Sequence, residues 1–318
     1  MGSGPELYGA RPTRVSRRLA FPLISRQRLV GSPFGARRST RRGRGGETAG
    51  TRPYIPGDPI ATIEWAASAR LSAAHGVDEF IVREQFDEQA PVVSIVLDQR
   101  PSMGLYRAPL PWLDKTAAAE IAVRAIVASA DDARAAVAVF DGSPIAPQLL
   151  EPARGRTQIV LARLGRAEFA APPRALDDAL GRLMRNRRAV APGSFVFVIS
   201  DFLGPLASSG RARLRRLAAD VVPVIAQDPT WERSFPDIPG VLVPIADAET
   251  GEVKTVRLTG GETRARRQAH EQRYDELEQR FRTAGMDPVT ISEASPESIH
   301  RAFLAWAQRR SRRLRKVR

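Results

Sequence analysis

The chain contains no cysteine. That excludes a disulfide scaffold, a thiolate nucleophile, an iron–sulfur cluster and a cysteine zinc site. Histidine is scarce: His75, His270 and His300 are the only three, and they lie far apart in the chain. A His-rich metal site or a Ser-His-Asp triad has little to be built from. No run of about eighteen apolar residues occurs, so no segment reads as a membrane span. The longest apolar stretch of the first fifty residues, Leu19 to Ile24, is interrupted by Pro22 and is too short for the core of a signal peptide. Without cysteines or an export signal, the expected compartment is the cytoplasm. Lysine is nearly absent as well, with 3 residues against 46 arginines. That ratio partly reflects genome composition, so an individual Arg carries little information by itself.

What is present is a chain of 318 residues, 43% hydrophobic, with a formal net charge of +14. This is enough for one large domain or two modest ones with a substantial core. The charge is uneven. Residues 1–50 hold eleven Arg against Glu6 and Glu47, and residues 309–318 hold six Arg, Lys316 and no acid. The body between them is nearly neutral. Two basic tails are therefore expected, 1–50 and 309–318, each solvated and flexible, Arg41-Arg42-Gly43-Arg44-Gly45-Gly46 included. Such tails also suit weak binding to polyanions, although no interleaved aromatics support base stacking.

From residue 91 onward, short apolar runs alternate with helical patterns. Val92–Leu97 ends at Asp98, Ala135–Phe140 ends at Asp141, and Phe195–Ile199 ends at Ser200-Asp201. Strands apolar on both faces belong to a parallel sheet covered on each side. Helices are expected at about 114–131, 157–165, 175–188 and 209–219. The pattern predicts a doubly wound, mostly parallel α/β domain over 91–308 with helices on both faces. Val221–Ala226 and Val241–Ala246 also read as strands, but Pro223 and Pro244 argue for edge positions or irregular ends. A hairpin is expected at about 241–258. Thr259 with Glu262 forms a capping box. Tyr274, Leu277, Phe281 and Ala284 make a core stripe that Gly285 ends, Met286–Ile291 is a further strand, and Pro296 opens a last helix with Ile299, Phe303 and Trp306 inward. Residues 51–90 are a separate, smaller β-containing segment: a turn-rich loop, a short helix and a strand leading into the α/β domain.

Ligands of a parallel sheet bind beyond the carboxyl ends of its strands. Asp98, Ser102, Thr157 and Asp201 arrive there. Carboxylates and hydroxyls on neighbouring loops suit a hard divalent cation such as Mg²⁺. The simpler alternatives are strand-end acids that cap helices, and Thr157 as an N-cap. Ser102 lacks a nearby His and a nucleophile elbow, which speaks against hydrolase chemistry. A metal-dependent hydrolase or phosphatase ranks last, for want of a Walker loop, a glycine-rich phosphate cradle and an Asp-x-Asp motif.

Asp98-x-Arg100-x-Ser102-Met103, Gly155-x-Thr157 and Ile199-Ser200-Asp201 resemble the metal-ion-dependent adhesion site of von Willebrand factor A domains, whose first motif is Asp-x-Ser-x-Ser. The segment Arg52-Pro53-Tyr54-Ile55-Pro56-Gly57-Asp58, followed by Ile63-Glu64-Trp65 and Ala69-Arg70, resembles the hallmark of the bacterial domain-of-unknown-function fifty-eight family. The likeness spans about residues 43–310. It implies an A-domain-like fold, no known catalysis, and a partnership with MoxR-type AAA+ ATPases in chaperone-like maturation of client proteins. Gly57-Asp58 is most simply a turn and Trp65 most simply core. Arg100 stands where the A-domain motif has a serine, Ala61 where the hallmark has Arg, and Glu64 where it has Asp. The adhesion site is thus degenerate. The Arg100 guanidinium is expected to pair with Asp98 or Asp201 and partly replace the metal. The alternative function is binding of nucleic acid or anionic membrane through the Arg-rich tails.

Overall fold

A computed structural model of the chain describes residues 19–25, 38–42, 48–55, 60, 63–88, 92–107, 110–141, 149–155, 157–164, 167–204, 214, 217, 219–247, 250 and 252–316. All structural statements concern these. The chain forms two compact units, one of residues 29–91 and one that joins 1–28 to 92–318.

The smaller unit holds strands β1 (Arg38–Arg42) and β2 (Thr48–Pro53), helix α1 (Trp65–His75) and strand β3 (Ile81–Glu88). β3 lies between β1 and β2, antiparallel to both. It is therefore the centre of its own sheet and does not enter the large one. Part of the expected N-terminal tail is thus a strand. Gly43 to Gly46 lie outside the described residues. Ser68 is the one buried residue of α1. It accepts from the Ile81 N–H at 2.9 Å and so ties the helix to the start of β3. Trp65, expected in the core, is 59% exposed. Its ring meets Phe80 edge-on at 6.1 Å, and Phe80 meets Tyr54 likewise at 6.4 Å.

The larger unit carries β4 (Val92–Leu97), α2 (Lys115–Asp132), β5 (Ala136–Asp141), β6 (Leu149–Ala153), α3 (Thr157–Leu164), α4 (Ala175–Arg185), β7 (Phe195–Ser200), β8 (Asp220–Ala226), β9 (Leu242–Ala246), β10 (Val253–Arg257), α5 (Gly260–Thr283), β11 (Val289–Ile291) and α6 (Pro296–Lys316). Its six-stranded sheet runs β11-β8-β7-β4-β5-β6. All neighbours are parallel except β5 and β6. β4, β7 and β8 are buried along their whole length, so alternate side chains feed two cores. Val93, Ile95, Phe197 and Val224 pack with α2 and α6, while Val96, Phe140, Val198 and Ile225 pack with α4 and α5. The fold is a mixed α/β architecture with helices on both faces of a mostly parallel sheet.

β8 is an interior strand, so of the two readings of its proline, an edge position or an irregular end, the edge position does not hold. β11 is only three residues long and begins its pairing at Val224, one residue past Pro223. The missing N–H therefore falls outside that ladder. β9 and β10 form the expected ribbon, with Pro244 opposite Thr255. The capping box of Thr259 and Glu262 is present. Of the helix expected at 209–219, most lies outside the described residues.

Both ends of the sequence contribute to the core. Leu19, Phe21 and Leu23 are buried. Phe21 stacks on Phe303 at 4.3 Å, and its N–H donates to Ser129 Oγ at 2.9 Å. Residues 309–316, expected from their charge to be a tail, continue α6. Arg310 is 2% exposed. Its guanidinium donates to Asp220 (2.7 and 3.0 Å), to Asp287 (3.1 Å) and to the Ile24 carbonyl (3.0 Å), and lies 4.3 Å from the centre of the Trp306 ring. A buried charge persists only when paired in this way. The Phe21→Ala variant should lose about 3–5 kcal/mol of stability, read as a lowered urea midpoint with unchanged slope. A loss within error would show that the segment is not part of the core.

Candidate functional site

After β4 the chain passes to β5 on one side, and β7 is followed by β8 on the other. The strand order therefore reverses between β4 and β7. In open α/β sheets this reversal opens a crevice at the carboxyl ends, where ligands bind. Asp98 and Asp201 stand there, each one residue past its strand. The Asp98 N–H donates to the Ile199 carbonyl at 2.9 Å, extending the β4–β7 ladder by one rung.

Asp98 is 1% exposed. Its carboxylate accepts from the Arg100 N–H at 3.0 Å, from Arg100 Nε at 3.0 and 3.1 Å, and from Arg100 Nη2 at 2.6 Å. Ser200 Oγ donates to it at 2.7 Å. Arg100 is buried too, and Gly204 makes room for it: a Cβ at 204 would collide with Arg100 Nη1. The expected pairing thus falls on Asp98. Asp201 is met by a different cation. Lys115 Nζ donates to Asp201 Oδ2 at 3.0 Å and to Glu232 Oε1 at 2.5 Å. Lys115 and Asp201 are both 0% exposed. The other Asp201 oxygen accepts from the Leu203 N–H at 3.1 Å. Phe202, between them, has a φ of 52°, a costly conformation for an aromatic residue. It buries its ring against Phe281 while the backbone turns back over the carboxylate.

A third strand joins the cluster. Beyond β8, Asp228 is 1% exposed and accepts from the N–H groups of Leu113, Thr230 and Trp231 at 2.8, 2.9 and 2.8 Å. Its own N–H donates to Glu232 Oε2 at 2.8 Å. Gln227 Nε2 donates to the Asp201 carbonyl at 2.5 Å, and Arg273 Nη2 to the Glu232 carbonyl. Tyr106, with φ of 61°, lays its ring 5.5 Å from Lys115 Nζ. Burial, and then the carboxylates of Glu232, Asp228 and Asp201, push its hydroxyl well above the ordinary phenol range, so it stays protonated.

Of the predicted ligands, Asp98 and Asp201 meet at one edge. Ser102 is half-buried on the 3₁₀ turn Pro101–Gly104. Thr157 opens α3, and its side chain lies outside the described residues. Among the described residues, no three His, Asp or Glu side chains are grouped to hold a metal. The donor set does not fit Mg²⁺ as it stands: Asp98 is committed to Arg100 and Ser200, and Asp201 to Lys115 and Leu203. Of the hallmark residues, Tyr54 is half-buried, and Arg70 is exposed with Nε on the Ala66 carbonyl at 3.1 Å. Gly57 and Asp58 lie outside the described residues, as does the Arg52 side chain. Lys115, Asp228 and Glu232 were not singled out by sequence. The available signal was the rarity of lysine.

A mostly parallel α/β unit with a charge-paired cluster at the strand reversal, joined in one chain to a small antiparallel unit, is the class of protein defined here. The chain matches the family described as Protein of unknown function DUF58 over residues 50–278 and belongs to that family. It is similar to an uncharacterized protein of Mycobacterium tuberculosis, 26% identical over 234 residues, covering 73% of this chain and 70% of the relative. Among solved structures it is similar to the conserved hypothetical protein BatB of Bacteroides thetaiotaomicron, with a TM-score of 0.38, 16% identity, and coverage of 69% of this chain and 100% of that one. It is also similar to an aerotolerance-related membrane protein of Bacteroides fragilis, with a TM-score of 0.41, 15% identity, and coverage of 70% and 100%.

Burial raises the Glu232 carboxyl above the ordinary carboxylate range, and Lys115 opposes that shift. The folded state therefore holds this proton more tightly than the unfolded chain. The stability Glu232 contributes is full below its ordinary value of about 4.5 and is lost as pH rises through the higher folded value. Glu232→Gln fixes the side chain in a neutral form. The stability of the native chain relative to Glu232→Gln should then fall as pH climbs from about 4.5, measured by urea unfolding at stepped pH. A difference that grows with pH would contradict this assignment.

Proposed function

We propose that this protein is a non-enzymatic interaction module with a von Willebrand A-like α/β unit. In this reading it works in the bacterial cytoplasm beside a MoxR-type AAA+ ATPase, in chaperone-like maturation or assembly of a client protein. The adhesion site at its strand reversal is degenerate. The observation that carries this reading is the closed state of that edge. A general acid or base must reach its substrate, whereas Asp98, Asp201, Asp228 and Glu232 are buried and committed to internal partners. Side chains held this way preserve the shape of a surface and leave recognition to the loops around it, which suits docking better than turnover. The motif order Asp98, Thr157, Asp201 and the Tyr54–Trp65 signature support the partnership by resemblance.

The test is affinity purification of the full chain from its native cell, followed by direct binding to the purified AAA+ ATPase. Enrichment of that ATPase, with binding that survives moderate salt, is the expected result. Recovery of nucleic acid or anionic lipid alone, lost on deletion of residues 1–18, would overturn it in favour of the basic N-terminal segment. The deletion must stop before Leu19, because the next residues belong to the core.

A further inference from the structure

The carboxylates at the strand reversal need positive charge, and the protein supplies it from its own chain. We infer that the Lys115 ammonium and the Arg100 guanidinium are the built-in counter-ions of this edge, taking the electrostatic role of a hard divalent cation, so that the edge is assembled and works without metal. The inference holds whichever partner the protein has.

Four observations carry it. First, Asp98, Asp201 and Glu232 are each at most 5% exposed. Carboxylates so placed must be paired, coordinated or protonated. Second, Lys115 is the first residue of α2, where the helix already has Asp114 as its cap, accepting from the Ala117 N–H at 2.9 Å. A cation at a helix N-terminus opposes the helix dipole, so the helix gains nothing from Lys115. Its side chain nevertheless turns inward to two carboxylates. Third, the chain uses lysine only three times against 46 arginines, and one of the three is placed here, where its compact ammonium reaches two carboxylates at once. Fourth, the Arg100 guanidinium lies against Gly204, where a Cβ would oblige it to shift. Its fork grips Asp98 through Nε to Oδ1 and Nη2 to Oδ2, the bidentate geometry for which guanidinium is suited. The two cations together carry the charge of one divalent ion, distributed as one for each strand-end aspartate.

The consequence is an exchange that can be run backwards. Removing Lys115 leaves Asp201 and Glu232 buried and adjacent without the ammonium that both accept from, with the Arg273 guanidinium as the nearby remaining positive charge; carboxylate oxygens so placed are the ligands a hard cation prefers. In the full-length native chain, about 10 mM Mg²⁺ or Mn²⁺, or EDTA, should move the melting temperature by no more than about 1 °C. Lys115→Met should melt about 10 °C lower at neutral pH. It should recover several degrees with Mg²⁺ or Mn²⁺ but not with NaCl of equal ionic strength. A Lys115→Met chain as stable as the native one would overturn the inference, and so would a destabilised chain indifferent to divalent ions. If that variant does not accumulate, calorimetry on the native chain decides. No heat of Mg²⁺ or Mn²⁺ binding sustains the inference. Micromolar binding abolished by Asp98→Asn overturns it.

Discussion

Strand β7 delivers Asp201 to a fully buried position, and the Lys115 ammonium meets it there at 3.0 Å. A buried carboxylate that loses its partner costs several kcal/mol, so this contact sets the position of everything attached to either end of it. Lys115 begins α2, which holds the N-terminus of that helix against the carboxyl end of the sheet. Glu232 shares the same ammonium and brings in the loop after β8. Asp228 then fastens that loop to the Leu113 N–H, next to the start of α2. Arg100 repeats the device for Asp98 on the neighbouring strand. The edge where a ligand would enter a sheet of this topology is thereby filled with mutually satisfied charges.

Much of this was legible in the residues. The apolar runs of β4 and β7 cannot be half-exposed strands, so they imply a parallel sheet covered on both faces. That geometry alone brings Asp98 and Asp201 together although 102 residues separate Asp98 from Ser200. The pairing of Arg100 with Asp98 follows from placing a permanent cation two residues from a strand-end acid. Capping at Thr259 and Glu262 is a local hydrogen-bond pattern and needs no tertiary information. Lys115 and Glu232 were not legible in the same way. A lysine at a helix start and a glutamate in a loop are solvated in most proteins, and only the fold converts them into buried partners.

The basic ends show the limit of counting charge. Arg310 continues the stripe of Ile299, Phe303 and Trp306 at the next helical spacing, which places it on the buried face of α6. Its charge argued for solvent; its periodicity argued for the core. Periodicity prevailed because Asp220 and Asp287 lie where the guanidinium arrives. The apolar segment at Leu19 is too short for the core of a signal peptide. It needed only to fill one slot beside Phe303. Trp65 went the other way: its size suggested the core, yet it rests edge-on against Phe80 and faces solvent.

The scarcity of lysine makes the central claim directly measurable. With only Lys115, Lys254 and Lys316 in the chain, nitrogen-15 labelling of lysine gives a spectrum simple enough to assign each ammonium group. If Lys115 is the fixed counter-ion of Asp201 and Glu232, its ammonium protons will be strongly protected from exchange with water, those of exposed Lys254 will not, and added Mg²⁺ will leave the Lys115 signal in place. An ammonium at Lys115 that exchanges as freely as that of Lys254, or that is displaced by Mg²⁺, would contradict the account.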